Sequence, residues 1–323
     1  MPALHIDTDM GVDDALALVV AARLPDVRIV GVSTVFGNVP LDLATRNARI
    51  FRQWLSPRLD VPLLVGASHP MRGRPKDATA IHGEDGLGGT TVQLDEEFLS
   101  RVCHPDEGEY RLTDYQASGE SRQADGNELV TIVGIGPATN LPSLIALYGP
   151  ALSRIVLMTG VVFDVGNITD AAEFNAWSDP AALIDTLATG VPITIVPLDV
   201  CRKVQLSRET IVGWRSREQT PLMRLLSDAH LHYVKSYRAS EGIDGCFPHD
   251  TLAVLAAAYP ERFVHLDGEV TVETSGAARG RTRFVRTESG RTRVVMGGRL
   301  AWVREGLRDL FSAETRSENG SLP

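Results

Sequence analysis

Cysteine is scarce in this chain: three residues in 323, Cys103, Cys201 and Cys246, scattered and without CxxC spacing. That excludes a disulfide scaffold and a cysteine-rich zinc site, and it reads as the reduced thiols of a cytoplasmic protein. Long hydrophobic runs are also missing. No stretch approaches the ~20 apolar residues that span a bilayer, and no basic or apolar leader precedes the first strand. Neither a membrane partner nor a secretory signal is expected. Positive charge is in deficit, with 32 Lys and Arg against 41 Asp and Glu and a net charge of −9. Without a basic stripe, a nucleic-acid partner is not expected either. No internal repeat or linker divides the chain, and its length suits one α/β domain over 1–312 followed by a disordered tail over 313–323.

What the chain does have is acid in one place. Asp7-Thr8-Asp9-Met10-Gly11-Val12-Asp13-Asp14 puts four carboxylates in eight residues between two apolar runs, Ala3 to Ile6 and Ala15 to Val20. The order reads as strand, tight loop, helix. Carboxylates this close repel one another unless a cation sits among them, and oxygen donors suit a hard divalent ion such as Ca²⁺ or Mg²⁺. Helix capping offers a plainer use for Asp13 and Asp14. It does not account for Asp7 and Asp9 on the strand side.

The remaining pattern is β-α-β-α, which predicts an open, mostly parallel sheet with right-handed crossovers. Strands are expected over 27–35, 61–65, 129–135, 154–158 and 193–198, with helices over 41–55, 141–148 and 221–237 between or after them. Glu269 to Thr274, Thr282 to Arg286 and Thr292 to Met296 alternate like exposed antiparallel strands, a small addition near the C-terminus. A helix over 301–311 ends the fold. Residues 104–127 are polar and lack a period, which predicts a surface excursion or poorly ordered loop. The Gly-rich stretch around His82 and Asp85 is either a ligand loop or a surface turn. Asp179 before Pro180 is a helix cap, whereas Glu173 and Asn175 have no such structural use.

Asp7, Asp9, Asp13, Asp14, Asn38, Asn167, Glu173, Asn175, His249 and Asp250 all follow strands or open helices. A parallel sheet gathers such positions at one edge. Acids and amides dominate, with no Lys or Arg clamp and no phosphate cradle. An uncharged, hydroxyl-rich ligand such as a sugar fits that set.

The ordered motifs resemble the inosine–uridine-preferring nucleoside hydrolase family: Asp7-Thr8-Asp9-x-Gly-x-Asp13-Asp14, Gly37-Asn38, His82-Gly83-x-Asp85-Gly86, Gly136-Pro137-x-Thr139-Asn140, Gly166-Asn167, Glu173-Phe174-Asn175 and His249-Asp250, with Gly280-Arg281-Thr282 as a weaker echo. The resemblance implies Ca²⁺-dependent hydrolysis of the N-glycosidic bond of ribonucleosides to free base and ribose. By match, the Ca²⁺ ligands are Asp9, Asp14, Asp250 and the main-chain carbonyl of Ile135. Asp9 is the general base and His249 the leaving-group acid. Asp13, Asn38, Asn167, Glu173 and Asn175 hold the ribose, and His82 and Tyr237 lie toward the base. The family also implies a homodimer or homotetramer.

Departures from the family pattern accompany the matches. Met10 replaces a proline, which is expected to loosen the acidic loop; Thr159 and Asp170 replace a glycine and a proline; Cys201-Arg202 stands where Thr-His is common. None removes a proposed ligand, but together they leave open another N-riboside as substrate. A Mg²⁺ phosphohydrolase is disfavoured because no Thr follows Gly11 and no Lys is placed for a phosphate. A non-catalytic ribose- or nucleoside-binding protein is disfavoured because binding alone needs neither Asp9 nor His249.

Overall fold

The computed structural model describes residues 1–105, 108–117, 128–217, 220–288 and 290–309. Within them, twelve strands follow one another: β1 (Ala3–Thr8), β2 (Arg28–Thr34), β3 (Leu63–Val65), β4 (Glu109–Arg111), β5 (Val130–Gly134), β6 (Leu152–Met158), β7 (Ile193–Val196), β8 (Leu206–Ser207), β9 (Gly245–Cys246), β10 (Phe263–Val272), β11 (Thr282–Arg286) and β12 (Thr292–Gly298). Ten of them form one sheet in the order β11-β10-β12-β7-β6-β5-β1-β2-β3-β4, and β8 pairs with β9 separately. The sheet is parallel from β12 through to β4, with β10 and β11 antiparallel at one end.

Side-chain alternation along the central strands divides the core in two. Leu4, Ile6, Val133 and Ile135 face one apolar layer, which also takes Leu16, Phe51, Leu225 and Leu252 from the helices Val12–Arg23, Leu41–Trp54, Pro221–Glu241 and His249–Ala258. Ala3, Val130 and Ile132 face the other, with Leu144 and Leu183 of the helices Leu141–Tyr148 and Pro180–Ala188. Strands buried on both faces explain the near-continuous apolar runs in the sequence. From β1 the chain builds outward through β2, β3 and β4, then returns to place β5 on the other side of β1. That reversal opens a crevice at the carboxyl ends of β1 and β5, the position at which ligands bind in such sheets.

Two expectations are corrected. The last strand is antiparallel to β10 as expected but is not exposed: on its other side Thr292–Val294 pair in parallel with Ile193–Ile195, and Val294 and Val295 are fully buried. Its period-2 pattern reported the edge pair β10 and β11 but not its own position inside the sheet. Residues 104–127 also contain structure. Glu109–Arg111 adds an edge strand beside β3, and the helix Leu112–Ala117 buries Leu112 and Tyr115. Arg49 fixes this edge with two hydrogen bonds to Glu109, both 2.7 Å. Residues 118–127 and the expected tail, 313–323, lie outside the described residues, and the last helix is described over Leu300–Asp309. No helix among the described residues is long and apolar enough to cross a membrane.

Candidate active site

Two helices begin at the crevice, and their first turns carry its carboxylates. Asp13 and Asp14 belong to Val12–Arg23, and Asp250 to His249–Ala258. Helix N-termini present unpaired N–H groups and positive dipole ends, which favour negative charge there. Carboxylate oxygens of Asp13, Asp14 and Asp250 lie within 4.8 Å of one another, all buried. Asn38 ties Asp9 to this group: its N–H donates to Asp9 Oδ2 at 2.8 Å, and its Nδ2 donates to Asp9 Oδ1 and Asp14 Oδ2, both at 2.9 Å. Gly37 is needed beside it, because any Cβ there would run into the Asp9 carboxylate.

Capping and clustering coexist at Asp14. It accepts the Gly11 N–H at 2.8 Å and the Thr8 hydroxyl at 2.5 Å. The loop is not loosened by Met10, contrary to expectation. Met10 is fully buried, donates its N–H to Thr8 Oγ1 at 3.0 Å and accepts from Asn47 Nδ2 at 3.2 Å. Its φ of +46° is a left-handed conformation closed to proline.

Charge crowding dominates the electrostatics. Burial raises the carboxyl pKa of Asp9, Asp13, Asp14 and Asp250, and repulsion from neighbouring carboxylates raises Asp9, Asp13 and Asp250 further. Asp13 Oδ1 is buried without a hydrogen-bond partner. An all-oxygen donor set with an orphaned carboxylate oxygen fits a hard divalent cation. The tight trio contains Asp13, which the sequence placed only among the ribose contacts. Asp9 is adjacent through Asn38, and the Ile135 carbonyl accepts from Asn175 Nδ2 at 3.2 Å. Asp7, grouped with the acidic loop in the sequence, is set apart inside the sheet. It accepts from Ser33 Oγ at 2.5 Å and Asn140 Nδ2 at 2.8 Å, and burial pushes its pKa up to about 7.

Above this floor is a cavity of about 540 Å³ lined by Asp13, Asn38, His82, Ile135, Asn167, Glu173, Asn175, Tyr237, His249 and Asp250, among others. The structure thus brings those ten of the twelve sequence-predicted site residues into the wall; Asp14 lies beneath, and Asp9 behind Asn38. Glu173 turns out to have a structural use after all. It caps the helix Phe174–Ser178, its carboxylate accepting N–H groups of Asn175 at 2.7 Å and of Ala176 and Gly160 at 2.9 Å. Asn175 reaches the Ile135 carbonyl and, at 3.1 Å, that of Met158. Asn167 Oδ1 accepts from Phe174 N–H at 2.8 Å. Asp179 is the cap the sequence indicated, accepting from Ala182 N–H at 3.2 Å. Asp85 organises its loop, accepting from Leu87, Gly89 and Thr91.

His82 Nδ1 lies 3.8 Å from Asp13 Oδ1, close enough for an ion pair were the ring charged. It instead accepts the Val12 N–H at 3.1 Å, and burial holds its pKa down to about 3. The ring is neutral, with its proton on Nε2. His249 Nε2 lies 2.7 Å from the Tyr237 hydroxyl, and burial, then the Arg202 charge, lowers its pKa to about 3. Tyr233, missed in the sequence, lines the cavity and packs its ring on His82 and Tyr237, with centroids 4.9 Å apart in each pair. Its spacing four residues before Tyr237 on one helix face was the available signal. Arg202 and Glu241 also line the wall, and neither follows a pattern that marks a site. A larger depression of about 1050 Å³ lies across Lys76 and Asp77, lined by Arg46, Arg49 and Tyr110, away from the carboxylate floor.

A carboxylate floor at the switch point of a parallel sheet, with amides and neutral imidazoles around it, suits a small hydroxyl-rich ligand beside a hard cation. Comparison with known proteins specifies it. The family described as inosine-uridine preferring nucleoside hydrolase matches residues 4–303. Uridine nucleosidase 1 of Arabidopsis thaliana is 32% identical over 283 residues, 86% of this chain and 80% of that protein. A non-specific ribonucleoside hydrolase of Klebsiella pneumoniae is 32% identical over 288 residues, 88% of each chain. Among solved structures, a plant nucleoside hydrolase superposes with a TM-score of 0.83 at 26% identity, covering 97% of this chain and 99% of that one. The chain belongs to the inosine–uridine preferring nucleoside hydrolase family, and it is a ribonucleoside hydrolase cleaving the N-glycosidic bond.

Proposed function

We propose that this enzyme releases the base from uridine and other ribonucleosides with Ca²⁺ at its carboxylate floor. The carrying observation is the buried Asp13, Asp14 and Asp250 group with its unpartnered Asp13 oxygen. Asp9, Asp14, Asp250 and the Ile135 carbonyl would hold the ion, with Asp13 within reach. When bound, Ca²⁺ supplies positive charge against these carboxylates and Lewis-acid polarisation of oxygen donors. The breadth of bases is supported by relatives named for uridine and for non-specific hydrolysis.

The ribose lies against the floor, its hydroxyls taken by Asp13, Asn38, Asn167, Glu173 and Asn175. Asp9, held by two Asn38 hydrogen bonds, takes the proton from the attacking water. As the C1′–N bond breaks, the sugar acquires oxocarbenium character, which buried negative charge stabilises. The base lies toward His82, Tyr237 and His249, and His249 protonates it as it leaves. A cytoplasmic homodimer or homotetramer is the accompanying expectation, and the three unbonded cysteines suit a reducing compartment.

The test is direct. The purified protein is incubated with inosine, adenosine, guanosine, uridine and cytidine, with and without a strong Ca²⁺ chelator, and free base and reducing sugar are assayed. Release that stops on chelation and returns with Ca²⁺ is the expected result. No release from any of the five would overturn the reading.

A further inference from the structure

The cavity wall contains a fixed cation that the chemistry above leaves unused. Arg202 ends the helical turn Leu198–Cys201. Its Nη1 donates to the Val165 carbonyl at 2.6 Å and lies 3.2 Å from Asp164 Oδ2, while Nη2 lies 3.6 Å from Glu241 Oε1. The guanidinium therefore bridges the loop carrying Asn167 and the end of the helix carrying Tyr233 and Tyr237. Lys76 and Arg202 line the cavity together, but Lys76 is exposed and lies over the Trp177 ring. Arg202 is the cation held in the wall.

Position in the cavity sets what this charge can meet. Asp14 and Asp250 at the floor are 0% and 3% exposed, whereas the Arg202 side chain is 17% exposed. Arg202 is thus nearer solvent than the floor, in a wall that Tyr237, Ser240, Glu241 and His249 also line. Given the proposed function, the sugar takes the floor and the nucleobase the outer half. The Asp164 and Glu241 side chains are 41% and 29% exposed, so water screens these two carboxylates more than the guanidinium they hold. The floor is negative, which helps the sugar cation and opposes charge build-up on the base. A positive group at the base end corrects that opposition.

We propose that Arg202 is a leaving-group residue, its guanidinium facing the nucleobase and stabilising the negative charge the base acquires as the C1′–N bond breaks. The electron pair of that bond goes to the base nitrogen, the water oxygen bonds to C1′, and one water proton ends on the base through the site's acid and base groups. The products are neutral base and ribose. This rests on the nucleosidase reading of the site.

The test is a leaving-group series. kcat/KM is measured for wild type, Arg202→Gln, Arg202→Lys and Asp164→Asn on nucleosides and on substituted phenyl ribosides of graded leaving-group pKa. Arg202→Gln should lose about 100-fold on the poorest leaving groups and only a few-fold on 4-nitrophenyl riboside, steepening the dependence. Arg202→Lys should recover most of the slope. Asp164→Asn, which loosens the loop but keeps the cation, should leave the slope unchanged. A parallel loss across the series, or none, in Arg202→Gln would assign Arg202 to loop fastening alone and overturn the proposal. Inactivity of the wild type on every riboside would instead overturn the nucleosidase reading beneath it.

Discussion

The Tyr237 hydroxyl lies 2.7 Å from His249 Nε2, and the Tyr237 ring packs edge-to-face on Tyr233 with centroids 4.9 Å apart. Burial keeps both phenols protonated. Both side chains line the cavity beside His249, the leaving-group acid of the proposed function.

Breaking the Tyr237–His249 contact should show in the leaving-group step. Tyr237→Phe is expected to slow nucleoside hydrolysis about 10-fold and 4-nitrophenyl riboside hydrolysis far less, while His249→Ala should show a larger gap in the same direction, about 10²-fold. Equal losses on the two substrates would reduce both residues to packing groups.

Asp9→Asn is expected to lower kcat by roughly 10³-fold with an unchanged fold, because an amide cannot take the proton from water. Circular dichroism and turnover measured on the same preparation check this. Wild-type turnover would remove Asp9 from the role of base.

Cation binding should stabilise the folded state, since the carboxylates converge only there. Adding Ca²⁺ to chelator-treated protein at neutral pH should raise the melting temperature by several degrees, on the order of 3 kcal/mol at a hundredfold excess over Kd. Asp250→Asn should remove most of that rise. A shift of the same size in Asp250→Asn would place the ion elsewhere.

Glu173→Gln should destabilise the protein by about 2 kcal/mol, apart from any effect on substrate. The carboxylate accepts three backbone N–H groups, and an amide nitrogen in place of either oxygen would face donors. Urea unfolding without substrate isolates this. A change below about 0.5 kcal/mol, the scatter of neutral surface substitutions, would mean the cap is dispensable.

Acid should weaken the fold through His230. Burial lowers its pKa to about 4 from the ordinary 6.5, and Nδ1 donates to the Leu226 carbonyl at 2.8 Å. The unfolded chain binds the extra proton first, so this contribution is complete above pH 6.5 and is lost as pH falls toward 4. His230→Phe should flatten the pH dependence of unfolding free energy between 6.5 and 4 by up to about 1.4 kcal/mol per pH unit. An unchanged slope would show that His230 does not titrate there.

Much of this molecule is legible in order along the chain. Apolar runs of strand length alternating with helical spacing give a parallel sheet, because strands buried on both faces need no polar side. Acids and amides at strand ends give the site's edge, because a parallel sheet brings those ends together. The Asp179 cap is a local matter and reads correctly. What the sequence could not show depends on partners distant in the chain. Glu173 looks free until its carboxylate is seen to accept from Gly160, thirteen residues back. His82 takes a helix N–H from Val12, seventy residues away. The strand Thr292–Gly298 looks like an exposed edge until it inserts beside Ile193, and Arg202 looks like a surface charge until Val165 and Glu241 hold it in the cavity wall. Sequence alone determined which residue types reach the crevice, since that follows from local periodicity and chain order. Only the tertiary structure decided which of them hold the scaffold, which line the cavity and which are neutral, because burial and pairing are properties of the assembled surroundings.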